Sequence, residues 1–363
     1  MSTYNSSSRH HSTQPPASRI EKDKNVDYNT SLFRRLTWEG TVPLEIRVDP
    51  KELPANSDRG LECYFIQAPR ISYLPLIVPE IRRFLMDVVF DEVAAKSLKD
   101  EEWWFESEEG TLLKWHWPLG LLYDNHTISM SLRSPSPSSN TMATPMRLIL
   151  HLAAPPQDKL FLSPSIESCK QAFMNQLKEA DFIRWGNTRR MTALRKVDQD
   201  GLWEGIREHS FDDFWRVASK LAPNAGPPTS ASPPSSSMSR PLSNDPPSQD
   251  KDSAYSMRSV PVRMYLPDGP VIQEVAPPML EDGTPHTLGT LFSTHLPLLF
   301  PPRPPAPPPS RINPHPQPPP APQLAYALIQ GVVSPPEAEL AWLGACMAGA
   351  DGWLNICVAI SRE

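Results

Sequence analysis

Proline has no backbone N–H to give to a helix or a sheet ladder, so regular structure stops where it crowds. In this chain the 45 prolines gather at a few places, above all residues 224–254 and 301–323. They make up about an eighth of the 363 residues, against a usual share of ~5%. The tracts cut the chain into pieces that each need a core, and the length allows two or three domains.

Between the breaks the hydrophobic period changes. Residues 1–28 are polar and charged and bury too little apolar surface to offset ordering, so a disordered tail is expected. Residues 29–39 read as a short amphipathic helix with Leu32, Phe33, Leu36 and Trp38 on one face. Thr30 or Ser31 would cap it, and Gly40 would end it.

Residues 40–155 switch to strands. Val42, Leu44, Ile46 and Val48 alternate, LECYFIQAPR is a second strand, and MRLILHLA closes the set. Ile77, Ile81, Phe84, Leu85 and Val88 take helical spacing between them. Two strands, a helix and further strands is the order of a β-grasp unit. Residues 160–223 read as all helix, with Ser163 as cap and Pro164 as the first helical residue. Trp203, Ile206, Phe211, Phe214, Trp215 and Val217 are spaced for a packed layer.

The tract 224–254 reads as an extended linker. Residues 255–363 then repeat the β-grasp order. VPVRMYLPDGPVIQEV is a hairpin turning at PDG, HTLGTLF is a helix capped by Thr287, and LAYALIQGVV and WLNICVAI are strands. The proline-rich insertion 301–323 interrupts this unit and serves as a spacer or offers PxxP ligands. The fold class is α+β, with two β-grasp domains flanking a helix-rich domain.

Several function classes are excluded by what is missing. A net charge of −6 with no basic block argues against nucleic acid. Cys63, Cys169, Cys346 and Cys357 show no CxxC pair, so reduced thiols in a cytoplasmic protein are expected. The N-terminus lacks the apolar core of a signal peptide, and no apolar run approaches the ~18 residues that span a bilayer. With no nucleophile set, phosphate loop or metal-ligand spacing, no catalytic residue, cofactor or metal is expected.

Among Lys114, Trp115, His116 and Trp117, alternation sends both tryptophans to one face for core packing and the other two residues to the opposite face. His286 is expected at the surface beside a helix start. Arg189, Arg190, Arg195 and Lys196 read as a solvated helical face able to meet anionic lipid weakly.

One lysine stands out by geometry. With residues 164–184 as a helix, Ile166, Cys169, Phe173, Leu177 and Ala180 share a face, and Lys178 falls roughly 140° away from its middle. Its amine is expected in solvent. A lysine amine is mostly protonated at neutral pH, its ordinary pKa being ~10.4, and the acidic neighbours Glu179 and Asp181 would favour that form.

LTWEGTVPLEIRV, PRISYLPLIVPEIRRF, WFESEEGTLLKWHWPLGLLYD, QAFMNQLKEADFIRWG, DDFWRVASKL, VPVRMYL, HTLGTLF and WLNICVAI together resemble the autophagy protein 5 family, in family order across about residues 30–363. GTxLKWHxPxGLLxD and MxxLKEAD are the specific parts. The resemblance implies two ubiquitin-like β-grasp domains around a helical one. It implies that Lys178, in LKEAD, accepts an isopeptide bond from the C-terminal glycine of autophagy protein 12.

It further implies that the conjugate binds coiled-coil autophagy protein 16 and works with the conjugating enzymes of the autophagy protein 12 and 8 systems. That assembly would promote transfer of autophagy protein 8 to a lipid with E3-like activity, at a preautophagosomal membrane contacted peripherally. Leu32, Phe33, Leu36 and Trp38 are the candidates for the partner-helix groove. The alternative is a tandem β-grasp adaptor that binds partners without a covalent bond, through its proline-rich segments.

Overall fold

The structure, a computed structural model, describes residues 17–53, 63–90, 92–133, 144–160, 164–226, 252–301 and 324–361. Helix α1 (Ala17–Glu39) leads into the first sheet. Its strands are β1 (Thr41–Val48), β2 (Tyr64–Pro69), β3 (Trp104–Ser107) and β4 (Met146–His151). Their order is β2-β1-β4-β3, with β1 parallel to β4 and the outer pairs antiparallel. Val42, Leu44, Ile46 and Val48 all turn inward, as their alternation requires. They pack on α2 (Leu74–Val88), which buries Leu74, Ile77, Val78, Ile81 and Leu85. After α2 come the short α3 (Glu92–Ser97) and, between β3 and β4, α4 (Leu119–Arg133).

The helical layer consists of α5 (Ile166–Trp185), α6 (Arg189–Thr192), α7 (Lys196–Arg207) and α8 (Phe211–Ala218). Phe173, Leu177, Trp203, Ile206, Phe214 and Val217 form its core. The second sheet is built from β5 (Val260–Tyr265), β6 (Val271–Ala276), β7 (Ala325–Ile329), β8 (Val332–Ser334) and β9 (Leu354–Ile360). It runs β6-β5-β9-β7-β8, again with the first strand parallel to the last. Helices α9 (Leu288–His295) and α10 (Leu340–Cys346) cover it. Both sheets thus share the β-grasp core, an antiparallel hairpin whose first strand lies beside the final strand.

Several expectations need correction. Helix α1 begins at Ala17, well before residue 29; Thr30 and Ser31 lie inside it, because no proline or glycine breaks residues 17–39. Of the tail expected over residues 1–28, residues 17–28 are thus helical and residues 1–16 lie outside the described residues, as do Ser163 and nearly all of the 301–323 insertion. Helix α5 is capped instead by Ser165, whose hydroxyl accepts the Ser168 N–H at 3.1 Å, a contact worth ~1 kcal/mol.

LAYALIQGVV is two strands. Gln330 (φ 52°) and Gly331 (φ 79°) supply the paired left-handed residues of a tight hairpin turn between β7 and β8. Helix α10 was not foreseen. Residues 113–118 are an irregular turn, so no alternation applies there. Trp115 enters the helical core, whereas Trp117 packs on the first sheet's core and edge-on against Tyr265 of β5.

Most of the linker expected over residues 224–254 lies outside the described residues. Its described ends meet: Asn224 N–H donates to Asp252 O, and Ala254 N–H donates to Asn224 O, each at 2.7 Å. Direct contacts join the domains. Arg70, after β2, is buried and pairs with buried Asp124 of α4, while its guanidinium lies over Gly331 of the second sheet. A Cβ on Gly331 would come within 2.9 Å of that guanidinium, so the turn glycine also leaves room for the bridge.

Candidate functional site

Helix α5 carries the LKEAD segment, and four of its five residues have packing tasks. Leu177 is in the helical core. Glu179 accepts from Arg263 of β5 at 3.4 Å and from Gln273 of β6 at 3.5 Å. Ala180 is fully buried and so close to the loop before β9 that a Cβ on Gly352 would sit 2.8 Å from its own. Asp181 is buried and accepts the Met191 N–H at 3.1 Å, which ties α6 to α5. Burial pushes the Asp181 carboxyl up from its ordinary value, and that hydrogen bond pulls against it.

One turn on, Arg184 donates to Gly352 O from a fully buried position, and desolvation brings its guanidinium down to about 10. Arg263 donates to Gln176 at 2.8 Å and lies 3.8 Å over the Trp353 ring. One flank of α5 is therefore clamped to the second β-grasp unit.

Lys178 is the exception. It is half-buried at the edge of that packed face, and it makes no hydrogen bond or ion pair to any described residue. Glu179 and Asp181, expected to act on it, are engaged elsewhere. Ile166, placed by periodicity on the buried face, is 39% exposed, while Met174, Asp181 and Arg184 are buried. The face turns toward the second sheet, a partner that local spacing does not reveal.

The four residues of the expected partner groove separate into two pairs. Leu32 and Leu36, one helical turn apart, are exposed, and exposed Tyr28 extends their line. Phe33 and Trp38 face inward. The Phe33 ring meets Trp342 edge-on at 5.0 Å, and Trp38 is buried among His209, Phe211 and Phe214. Those two anchor α1 to its own chain and are not free to take a partner.

Below α1 a cleft lies where the domains meet, lined by Trp38, Leu177, Arg184, Trp215, Cys346 and Gly352 among others. Leu177 reaches this cleft directly beside Lys178 in sequence.

The other candidates resolve into structural roles. Lys114 lies 4.2 Å over the Trp117 ring, and burial lowers both its amine and the His116 imidazole. His286 is buried, contrary to expectation, with Nδ1 2.9 Å from Pro277 O. Arg190 pairs with Asp252 and lies over Trp185, and Arg195 pairs with Asp198, so half of the expected basic face is already engaged. None of the four cysteines is in a disulfide, and three of them are buried. Among the described residues no helix is long and apolar enough to cross a membrane.

Comparison with known proteins agrees with this arrangement domain by domain. Residues 37–152 match the family described as Autophagy protein ATG5, UblA domain. Residues 166–224 match its alpha-helical bundle region, and residues 259–358 its UblB domain. The Autophagy protein 5 of Aspergillus clavatus is 30% identical over 360 residues, covering 90% of this chain and 96% of that protein. The Autophagy protein 5 of Penicillium rubens is 29% identical over 358 residues, with the same coverage. The crystal structure of Kluyveromyces marxianus Atg5 superposes with a TM-score of 0.62 at 21% identity, over 90% of this chain and 99% of that one.

Proposed function

The chain belongs to the autophagy protein 5 family, and on that premise we propose that it is a scaffold joined covalently through Lys178 to autophagy protein 12. A role in autophagy comes with the family. The observation that carries the finer reading is the contrast within LKEAD: every residue but Lys178 is fixed by tertiary contacts, and the half-exposed Lys178 has no side-chain partner among the described residues.

In the step itself the neutral Nζ attacks the carbonyl carbon of a thioester at the C-terminal glycine of autophagy protein 12. The C–S bond breaks, the conjugating enzyme leaves as thiolate, and the amine loses its proton to give the amide. Among the described residues no base hydrogen-bonds the Lys178 amine, so the enzyme that brings the thioester supplies the activation. The chain is a substrate of this reaction. The conjugate then joins coiled-coil autophagy protein 16 and promotes lipidation of autophagy protein 8 at the preautophagosomal membrane.

Tryptic mass spectrometry tests the acceptor directly. Trypsin cuts after Lys170 and Arg184, and a modified Lys178 resists cleavage. Chain isolated from cells is expected to give a branched peptide spanning Gln171–Arg184. Branching at another lysine only, or none, overturns the reading and favours a non-covalent adaptor.

For the coiled-coil partner, the exposed line of Leu32 and Leu36 above the three-domain cleft is the docking edge. Leu36→Asp is expected to weaken autophagy protein 16 binding at least ~10-fold, since central apolar contacts carry such energies. It should leave the thermal unfolding midpoint unchanged, because Leu36 is 56% exposed. Titration calorimetry reads the affinity. Unchanged binding would remove α1 from the interface.

A further inference from the structure

His151, the last residue of β4, is 8% exposed and ringed by three carboxylates of the first β-grasp unit, two from the turn after β1 and one from β3. Asp49 caps the 3-10 turn Pro50–Glu52; one of its oxygens, Oδ1, accepts the Lys51 N–H at 3.0 Å. The other, Oδ2, is 3.5 Å from His151 Nδ1. Glu52 repeats the pattern: Oε2 accepts the Leu152 N–H at 2.6 Å, and Oε1 is 3.0 Å from the same Nδ1. Each carboxylate is thus held by a backbone N–H through one oxygen and presents the second to a common point.

On the far side of the ring, Nε2 is 3.1 Å from Glu106 Oε1 but off the hydrogen-bond direction, so this buried nitrogen has no hydrogen-bond partner. The Trp104 ring stacks on the imidazole at 3.9 Å and 11°, which fixes its plane. Among the described residues none of the three carboxylates has a Lys or Arg partner. A single imidazolium offsets at most one of three negative charges.

We propose that Asp49 Oδ2, Glu52 Oε1 and His151 Nδ1 form a divalent-cation site suited to Zn²⁺. One ligand atom from each of the three residues lies within 4.8 Å of those of the other two. Tetrahedral ligands bonded at ~2.1 Å stand ~3.4 Å apart, and the 3.0 and 3.5 Å separations from Nδ1 bracket that value. One nitrogen with two carboxylate oxygens is a donor set that zinc accepts, with water completing the shell.

On binding, the proton between Nδ1 and Glu52 goes to solvent. The remaining Nε2–H turns to Glu106, the carboxylate–histidine–metal relay that orients such ligands. The cation ties the 3-10 turn after β1 to the ends of β3 and β4, on elements distinct from α5 and Lys178.

Calorimetric titration of the full chain, stripped with EDTA and exchanged into metal-free buffer, with ZnCl₂ tests this, alongside the thermal unfolding midpoint. The expected result is one tight equivalent and a raised midpoint. His151→Gln and Glu52→Gln should each lose that equivalent, and Glu106→Gln should weaken it ~10-fold. Glu52→Gln keeps an acceptor for the Leu152 N–H, so it decides the matter if His151→Gln does not fold. No equivalent in the unaltered chain, or one that persists in Glu52→Gln, overturns the site.

Discussion

Lys178→Arg is expected to abolish the slow-migrating, reductant-resistant form of the chain on immunoblots from cells, while stability stays within about 0.5 kcal/mol of the parent. Arginine keeps the charge and the length, but its guanidinium does not deprotonate in proteins and makes no isopeptide bond. Stability should hold because the Lys178 amine makes no hydrogen bond or ion pair to a described residue, so no described contact of the fold depends on it. Leu177→Ala, one residue away, is the contrasting control. It opens a hole in the helical core and should cost about 2–5 kcal/mol. If the slow form survives Lys178→Arg, the acceptor is elsewhere.

Asp124→Ala is expected to destabilise the chain by about 3–5 kcal/mol, since it strands a buried guanidinium without its carboxylate. Arg70 and Asp124 are both nearly inaccessible, and Arg70 also donates to Gly120 O at 3.3 Å. Burial pushes the Asp124 carboxyl up, and the guanidinium opposes it. The pair bridges the first unit, α4 and the turn at Gly331, so its loss should loosen one β-grasp domain from the other.

Replacing both partners with apolar residues, Arg70→Met with Asp124→Leu, should restore much of the stability, because neither charge is then left buried alone. Urea denaturation followed by tryptophan fluorescence reads both variants. A loss under about 1 kcal/mol for Asp124→Ala would show that water reaches the guanidinium and that the bridge carries little.

The parts legible in the sequence were those whose signal is local. The alternation of Val42, Leu44, Ile46 and Val48 appears as four inward side chains, since period two is a property of any strand. Thr287 caps α9 as read, its hydroxyl accepting the Thr290 N–H at 3.3 Å. Helix α4 was missed because it has two buried sides. Leu119 and Leu122 join the core of the first sheet, whereas Leu121 and Ile128 pack with Tyr265 and Cys357 of the second. A helix buried on two sides has no single apolar stripe to detect. Trp115 and Trp117 enter different cores because residues 113–118 are an irregular turn, to which no period applies.

The site divides along the same line. The local residues determined that Lys178 lies off the apolar face of a helix, and the LKEAD motif singled it out. Only the tertiary structure decided what surrounds it: the acids beside it turn to Arg263, Gln273 and Met191, and among the described residues Lys178 has no side-chain partner. It also decided that Phe33 and Trp38 are anchors while Leu32 and Leu36 stay outside. Asp49, Glu52 and His151 meet because β1 lies beside β4, a pairing that spans about a hundred residues. Periodicity tells which way a side chain leaves its own helix or strand; which group waits there depends on elements far off in the chain.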